Sequence, residues 1–358
     1  MQISFATPTT LESTEHVVIA EELGYARAWF YDTPQQSPDV WMMLALAAQA
    51  TERIGLGPGV LVPTLRHPMV NAAATAALEA LAPGRVAVAF GTGFSGRRAM
   101  GNRSPIKWSY MADYIRAYRG LLRGEIVEWE SARMRMLHPS DSTAPLPVNV
   151  PVMIAALGPK GYAVAKELGD GVFTAGPVPP GFAKEFSWVP HLCYGTTLDD
   201  DEDPQSERVR LAAGPAVLNV YHVTYEGYTS FPVTDLPGGT EWLAVVEQSP
   251  ENERHLAVHH QHLVGLNAAD DAAWENGAGN MVEALSFSGT ASQMRAKVAA
   301  LAEGGATEVV YQPSGPDVRR ELEAFMNAVG SADFDGSSAS AGATRPAVQA
   351  WTGGSPRV

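Results

Sequence analysis

Thiols are nearly missing from this chain. Cys193 is the only cysteine among 358 residues, so no internal disulfide forms and no cysteine cluster holds zinc or iron–sulfur. Positive charge is scarce too. Lys and Arg number 25 against 39 Asp and Glu, a formal net charge of −14. That balance excludes a duplex nucleic-acid binder, whose affinity comes mainly from neutralised phosphates, and a polybasic membrane-surface protein. No apolar run reaches the roughly 18 residues of a membrane span. The opening stretch, MQISFATPTTLESTEH, lacks the positive start and apolar run of a signal peptide. The expectation is a cytoplasmic chain in a reducing compartment, with no nucleic-acid and no membrane partner. Apolar residues are plentiful: hydrophobic types make up 46% and charged types 18%, enough for a large core and too little charge for a disordered chain.

Short apolar strands alternate with helical periodicity. Residues 3–7 read as a strand, 14–23 as a helix stopped at Gly24, and 26–32 (ARAWFYD) as a strand ending in an acid. Pro38 opens a helix to about 51, 54–62 is a strand, and Pro68 starts a helix ending near 83–84. Strand 85–91 (RVAVAFG) has the β-branched alternation of a buried parallel position. A helix over 106–123 precedes a hairpin-like excursion at 125–137. Strand 151–157, helix 159–168, strand 171–176 and strand 188–197 come next. The acidic DDDEDPQSE reads as a solvated loop. Two or three helices fill 206–274, followed by helix 290–303, strand 307–312 and helix 317–328. The Ser/Ala/Gly-rich residues 331–358 read as a flexible tail. Eight strands alternating with helices predict an α/β fold, a (β/α)8 TIM barrel over 1–330 rather than an open doubly wound sheet. A helical insertion, about 198–288, falls between strands 7 and 8.

In such a fold, chemistry gathers where strands end. GTGFSG (91–96) fits G-x-G-x-x-G, but it follows the fourth strand and runs into RRAMGNRSP, a poor helix start. A dinucleotide fold needs the motif after the first strand, so these glycines are read instead as room for a flat ligand against the backbone. Arg97, Arg98, Arg103 and Lys107 cluster nearby, either as surface charges or as contacts to an anion. GPKG (158–161) sits at a strand-to-helix junction, where free amides and Lys160 suit a phosphate, with Pro177 closing the other side; ordinary tight turns are the alternative. Asp32 either orients a ligand or caps the next turn, and His67 reads as a helix-start residue, with a proton donor as the alternative. If HLAVHHQHLVG is helical, His255, His259 and His262 share one face. No carboxylate completes an H-E-x-x-H pattern, so no metal is assigned; a pocket lining and plain packing remain open. Neither a Ser/His/Asp triad nor paired carboxylates can be read from the spacing.

Several segments in order carry a resemblance: AEELGYARAWFYDTP, ATERIGLGPGVLVPTLRHP, IAALGPKGYAVAKELGDGVFTAG and TASQMRAKVAALAEGGATEVVYQ. Across about 1–330 the chain resembles the luciferase-like monooxygenase superfamily. The resemblance implies a TIM barrel, commonly dimeric or tetrameric, that binds reduced FMN or the deazaflavin F420. Similarity to methylenetetrahydromethanopterin-reductase-like proteins favours the F420 branch. It implies that Gly59 and Val60 form a bulged third-strand site with a non-proline cis peptide under the ring. By the same resemblance Asp32 lies at the ring edge and Thr92 and Gly93 beside the cofactor. Ala155, Ala156, Gly158, Pro159, Lys160 and Gly161 form the phosphate-side loop, with Gly176 and Pro177 as neighbours. Sugar-phosphate dehydrogenases of the family carry a histidine where this chain has Thr33, a departure that speaks against their acid–base scheme and against a sugar-phosphate substrate. The implied activity is hydride transfer between F420 and a small-molecule substrate, with His259, His262 and Asp32 as the catalytic candidates. The alternatives are an FMNH2-dependent monooxygenase served by a separate reductase, and a non-catalytic cofactor-binding barrel. A homodimer is expected.

Overall fold

The computed structural model describes residues 1–102, 104–139, 142–176 and 185–330. Strands and helices alternate as β1 (Gln2–Thr7), α1 (Ser13–Glu22), β2 (Arg27–Phe30), α2 (Val40–Ala50), β3 (Gly55–Pro58), α3 (Pro68–Leu81) and β4 (Val88–Phe90). Next come α4 (Phe94–Ala99), α5 (Trp108–Leu122), the hairpin β5 (Val127–Trp129) and β6 (Ala132–Met134), β7 (Val152–Ala155), α6 (Pro159–Leu168), β8 (Gly171–Phe173), β9 (Pro190–Tyr194) and β10 (Thr197–Leu198). A helical stretch follows: α7 (Glu207–Tyr225), α8 (Gly239–Val246), α9 (Arg254–His259), α10 (Ala268–Glu275) and α11 (Val282–Leu285). The described chain finishes with β11 (Gly289–Thr290), α12 (Ala291–Gly304), β12 (Glu308–Gln312) and α13 (Val318–Val329).

The helix ends follow their local chemistry. Asp39 caps α2 by accepting from Trp41 and Met42 amides, and the His67 ring accepts from the Met69 amide at the start of α3. Two stretches depart from the sequence reading. Residues 206–275 carry four helices, α7 to α10, where two or three were expected. The segment after the fourth strand, expected to be a poor helix start, forms α4. Gly93 takes φ 76°, a left-handed turn that admits glycine, and its carbonyl accepts the first helical bond from the Arg97 amide.

One parallel sheet runs β3-β2-β1-β12-β9 and another β4-β7-β8. Bridges Leu56↔Val86 and Leu61↔Phe90 carry contact from β3 to β4, and Thr174↔His191 carries it from β8 to β9. The fold is mixed α/β, with parallel strands joined by helical crossovers.

Alternation along the strands separates two apolar faces. One face packs Ala6, Trp29, Ala87, Ala89, Met153, Phe173 and Val310 together. The other meets the helices in the largest cluster, around Phe5, Phe30, Leu56, Phe90, Tyr311 and Phe325. Glu308, 1% exposed, is satisfied on the first face by Trp29 Nε1 at 2.9 Å and Trp188 Nε1 at 2.6 Å. The helices between β10 and β11 have a core of their own, around Tyr221, Trp242 and Val258. Among the described residues no helix is long and apolar enough to cross a membrane.

Candidate functional site

The residues expected to touch a ligand divide into three groups. At the ends of β3, β4 and β7, small residues meet. A Cβ added to Gly91 would lie 2.5 Å from Val60 Cγ2 and 3.7 Å from Ala155 Cβ, so a glycine there keeps this wall thin. The Gly59–Val60 peptide is cis, as the resemblance implied. Gly59 lies over the Trp29 ring. Thr92 is half-buried, and its carbonyl accepts from the Ile106 amide at 3.0 Å.

The second group is the start of α6. Gly158 precedes the helix without a side-chain cap, and Pro159 and Lys160 are exposed. Nothing lies within 4 Å of the Gly158 position where a Cβ would stand. Ala156 and Gly161 are buried against Trp108 of α5. Gly176 is half-buried beside Leu157. Pro177 and Arg103 lie outside the described residues.

The third group comprises the acid and the histidines. Asp32 follows Tyr31, and only Tyr31 packs with the inward cluster that includes Val60 and Ala155. Asp32 is 4% exposed and accepts from Arg66 NH1 at 2.5 Å, while NH2 of the same guanidinium reaches Asp39 Oδ2 at 2.5 Å. Burial lifts the Asp32 carboxyl above its ordinary value, and Arg66 opposes that lift.

The proposed histidine helix stops early. α9 ends at His259, and Gln261 and Leu263 adopt left-handed backbone (φ 56° and 59°). The resulting turn still brings His259 and His262 together, with ring centroids 5.1 Å apart. His255 stands beside Gly101 instead. Gln36 Nε2 donates to the His262 carbonyl at 2.8 Å, and Gln312 Nε2 donates to the Leu263 carbonyl at 2.7 Å. The turn is thereby pinned to the loop after β2 and the end of β12. Gln312 Oε1 also accepts from the Tyr31 hydroxyl.

Around the two histidines lies a buried polar network. His222 Nε2 meets Asp270 Oδ1 at 2.9 Å, and His222 Nδ1 meets His262 Nδ1 at 2.7 Å. An ionised carboxylate only accepts, so Nε2 of His222 carries the proton. In the neutral ring Nδ1 then accepts from His262 Nδ1–H. That assignment leaves His262 Nε2 with a lone pair, and no partner for it occurs among the described residues. Burial, with His222 and His259 adding to it, holds the His262 ring well below the ordinary histidine range. His259 Nε2 donates to Glu226 Oε1 at 2.6 Å, and its Nδ1 is buried without a partner. Among the described residues no group of three His, Cys, Asp or Glu is arranged to hold a metal.

Sequence reasoning missed Tyr31, Arg66, His222, Glu226, Asp270 and Gln312. Some signals were present. His222 and Glu226 stand four apart on one helix, and Asn267-x-x-Asp270 is a capping-box pattern, which the structure forms. The Arg66–Asp32 pair had no local signal.

A family model described as luciferase-like monooxygenase matches residues 6–192. The 5,10-methylenetetrahydromethanopterin reductase of Archaeoglobus fulgidus is 25% identical over 337 residues, covering 86% of this chain and 91% of that one. An F420-dependent glucose-6-phosphate dehydrogenase of Beutenbergia cavernae is 34% identical over 172 residues, 44% of this chain and 50% of its own. The solved coenzyme F420-dependent tetrahydromethanopterin reductase of Methanopyrus kandleri superposes with TM-score 0.65 at 20% identity, covering 92% of this chain and 99% of that one.

Proposed function

The chain belongs to the luciferase-like monooxygenase family, and we propose that it is an F420-dependent oxidoreductase acting on a small organic substrate. The parallel sheets and the bridges between them support a (β/α)8 barrel over 1–330, with about 198–288 inserted between its seventh and eighth strands. The observation that carries the reading is the thin wall at Val60, Gly91 and Ala155, which adjoins the uncapped start of α6 through Ala155–Ala156. These residues fit a flat ring with an anionic substituent: glycine at 91 lets Val60 close up against the backbone into one thin wall with Ala155, and the α6 amides and Lys160 favour negative charge.

When bound, the deazaflavin supplies hydride transfer at C5. The chain's own residues do the rest. Gly59, Val60, Thr92 and Gly93 hold the ring side. Ala155, Ala156, Gly158, Pro159, Lys160, Gly161 and Gly176 hold the phosphate side. Asp32 acts through Arg66, fixing the loop after β3. His262, oriented by His222 and Asp270, offers its Nε2 lone pair to accept the proton, and His259 stands beside it on Glu226. Met42, Leu46 and Val70, exposed by 69%, 52% and 52% on α2 and α3, support a homodimer through that face.

Titration of the purified protein with F420 and with FMN tests the reading. F420 should bind and be turned over, and His262→Gln should lower turnover while leaving F420 affinity within about twofold. Binding of FMN alone refutes it. F420 binding with no turnover of any candidate substrate would leave a non-catalytic barrel.

A further inference from the structure

A cleft of about 460 Å3 opens between the loop after β3, the segment joining α4 to α5, and the first turn of α5. Thr64, Arg97, Asn102, Ser104, Lys107 and Tyr110 line it. In a chain of net charge −14, its cations stand out. Ten other arginines of this chain form ion pairs with carboxylates. The Arg97 guanidinium instead donates to neutral acceptors: Ser104 O at 3.0 Å, Thr64 Oγ1 at 2.8 Å and Asn102 Oδ1 at 3.5 Å. Among the described residues no carboxylate lies within ion-pair distance of Arg97 or of the exposed Lys107. The bonds to Thr64 and Ser104 fix the guanidinium across the cleft while its charge stays uncompensated. Lys107 is also the residue before α5, whose first turn has no side-chain cap and no acid. Glu130, on the hairpin, is the acid that bears on Tyr110.

The cleft is continuous with the proposed cofactor site at two points. Ile106 bonds to the Thr92 carbonyl, and the Arg97 side chain lies against Gly93. On the other side Trp108, next to Lys107, packs on Gly161 and Ala156 at the start of α6. The cationic cleft and the start of α6 are therefore separated by Trp108, within reach of one extended anion.

We propose that this cleft holds the carboxylate tail of the cofactor, with Arg97 and Lys107 as its counter-charges. The inference rests on the F420 reading above and adds a second anionic subsite to it. Charge attraction reaches about a Debye length, roughly 8 Å at physiological salt, so two cations lining one cleft act together on a bound carboxylate.

The full chain and the variants Arg97→Gln, Lys107→Gln and the double variant are titrated, at low and high salt, with F420 and with the deazaflavin that keeps the phosphate and lacks the carboxylate tail. Expected are a loss of F420 affinity of about five- to tenfold in the double variant at low salt, a shallower salt dependence, and unchanged affinity for the tail-less compound. Unaltered F420 affinity and salt dependence in the variants would overturn the subsite while leaving the cofactor reading intact. Equal weakening of both compounds would overturn it as well, since the cations would then act on the ring or a substrate anion. If the wild type binds neither compound, the cofactor reading itself fails. Should Arg97→Gln fold poorly, Lys107→Gln decides alone, because that side chain is exposed and makes no bond whose loss would destabilise the fold.

Discussion

Asp270 ties the histidine network to the stability of the helical stretch, and its removal has a calculable cost. The carboxylate is 1% exposed. Its Oδ1 accepts from His222 Nε2 at 2.9 Å and Trp242 Nε1 at 2.9 Å, and its Oδ2 accepts from the Asn267 amide at 3.2 Å. His222 and Trp242 are themselves 2% and 0% exposed, so water cannot replace the lost acceptor without opening the core. Asp270→Ala strands three buried donors. Each unsatisfied donor costs roughly 1–3 kcal/mol, and because the three share one site the total should fall near 3–5 kcal/mol. Asp270→Asn is milder. Either orientation of the new amide sets an NH2 against at least one donor, for a loss of about 1.5–3 kcal/mol. The Asn267 cap survives in both, because its side chain accepts from the Ala269 and Asp270 amides. Urea unfolding followed by tryptophan fluorescence, to which Trp242 contributes, should show a lower midpoint with an unchanged slope. A loss under about 1 kcal/mol for Asp270→Ala, or equal losses for Asn and Ala, would refute the network as a load on that core.

Other expectations follow from single features. Burial lowers His191 to about 4, and His262 shifts in the same direction. The unfolded chain takes up these protons below about 6.5 while the folded chain resists, so stability is complete above that pH and falls toward 4. For His191 alone the loss reaches on the order of 3 kcal/mol. His191→Leu should flatten that limb in denaturation midpoints measured between pH 7 and 4, and an unchanged limb would contradict the assignment. Gly91→Ala forces a Cβ to 2.5 Å from Val60. It should cost about 1–3 kcal/mol and weaken F420 binding, and Val60→Ala in the same chain should restore stability, read by thermal melting. Met42→Asp with Leu46→Asp, on the exposed face of α2, should yield monomers in sedimentation with little change in melting temperature.

Strand and helix identity was legible because each segment carries its own period and stop. Gly24, Pro38, His67 and Pro68 stand at boundaries that the structure reproduces within a few residues. α4 was hidden for a local reason. Its first helical acceptor is the carbonyl of a glycine at positive φ, and no capping side chain announces it. The direction of side chains at strand ends was harder still. Asp32 drew attention as the charged residue closing a strand, yet alternation sends Tyr31 inward and leaves Asp32 to Arg66, which comes from a loop 34 positions away. A period of two fixes alternation, but one strand by itself does not say which set faces in; its neighbours Val60 and Ala155 do.

The histidines show the same limit from the other side. Helical spacing was the wrong reason to join His259 with His262, since the helix ends between them; it holds only for His255 and His259, both on α9. Their proximity comes from a turn with two left-handed residues, held by Gln36 and Gln312 from distant loops. Such bonds run between segments more than 45 positions apart in sequence, and no window along the chain contains them. The partner that sets the tautomer, His222, lies 40 residues from His262 and is fixed by Asp270, 48 residues on. The chemistry a histidine offers depends on which nitrogen is already engaged. Composition and spacing locate the rings; only the fold decides that Nδ1 of His262 is engaged by His222 while its Nε2 has no partner among the described residues.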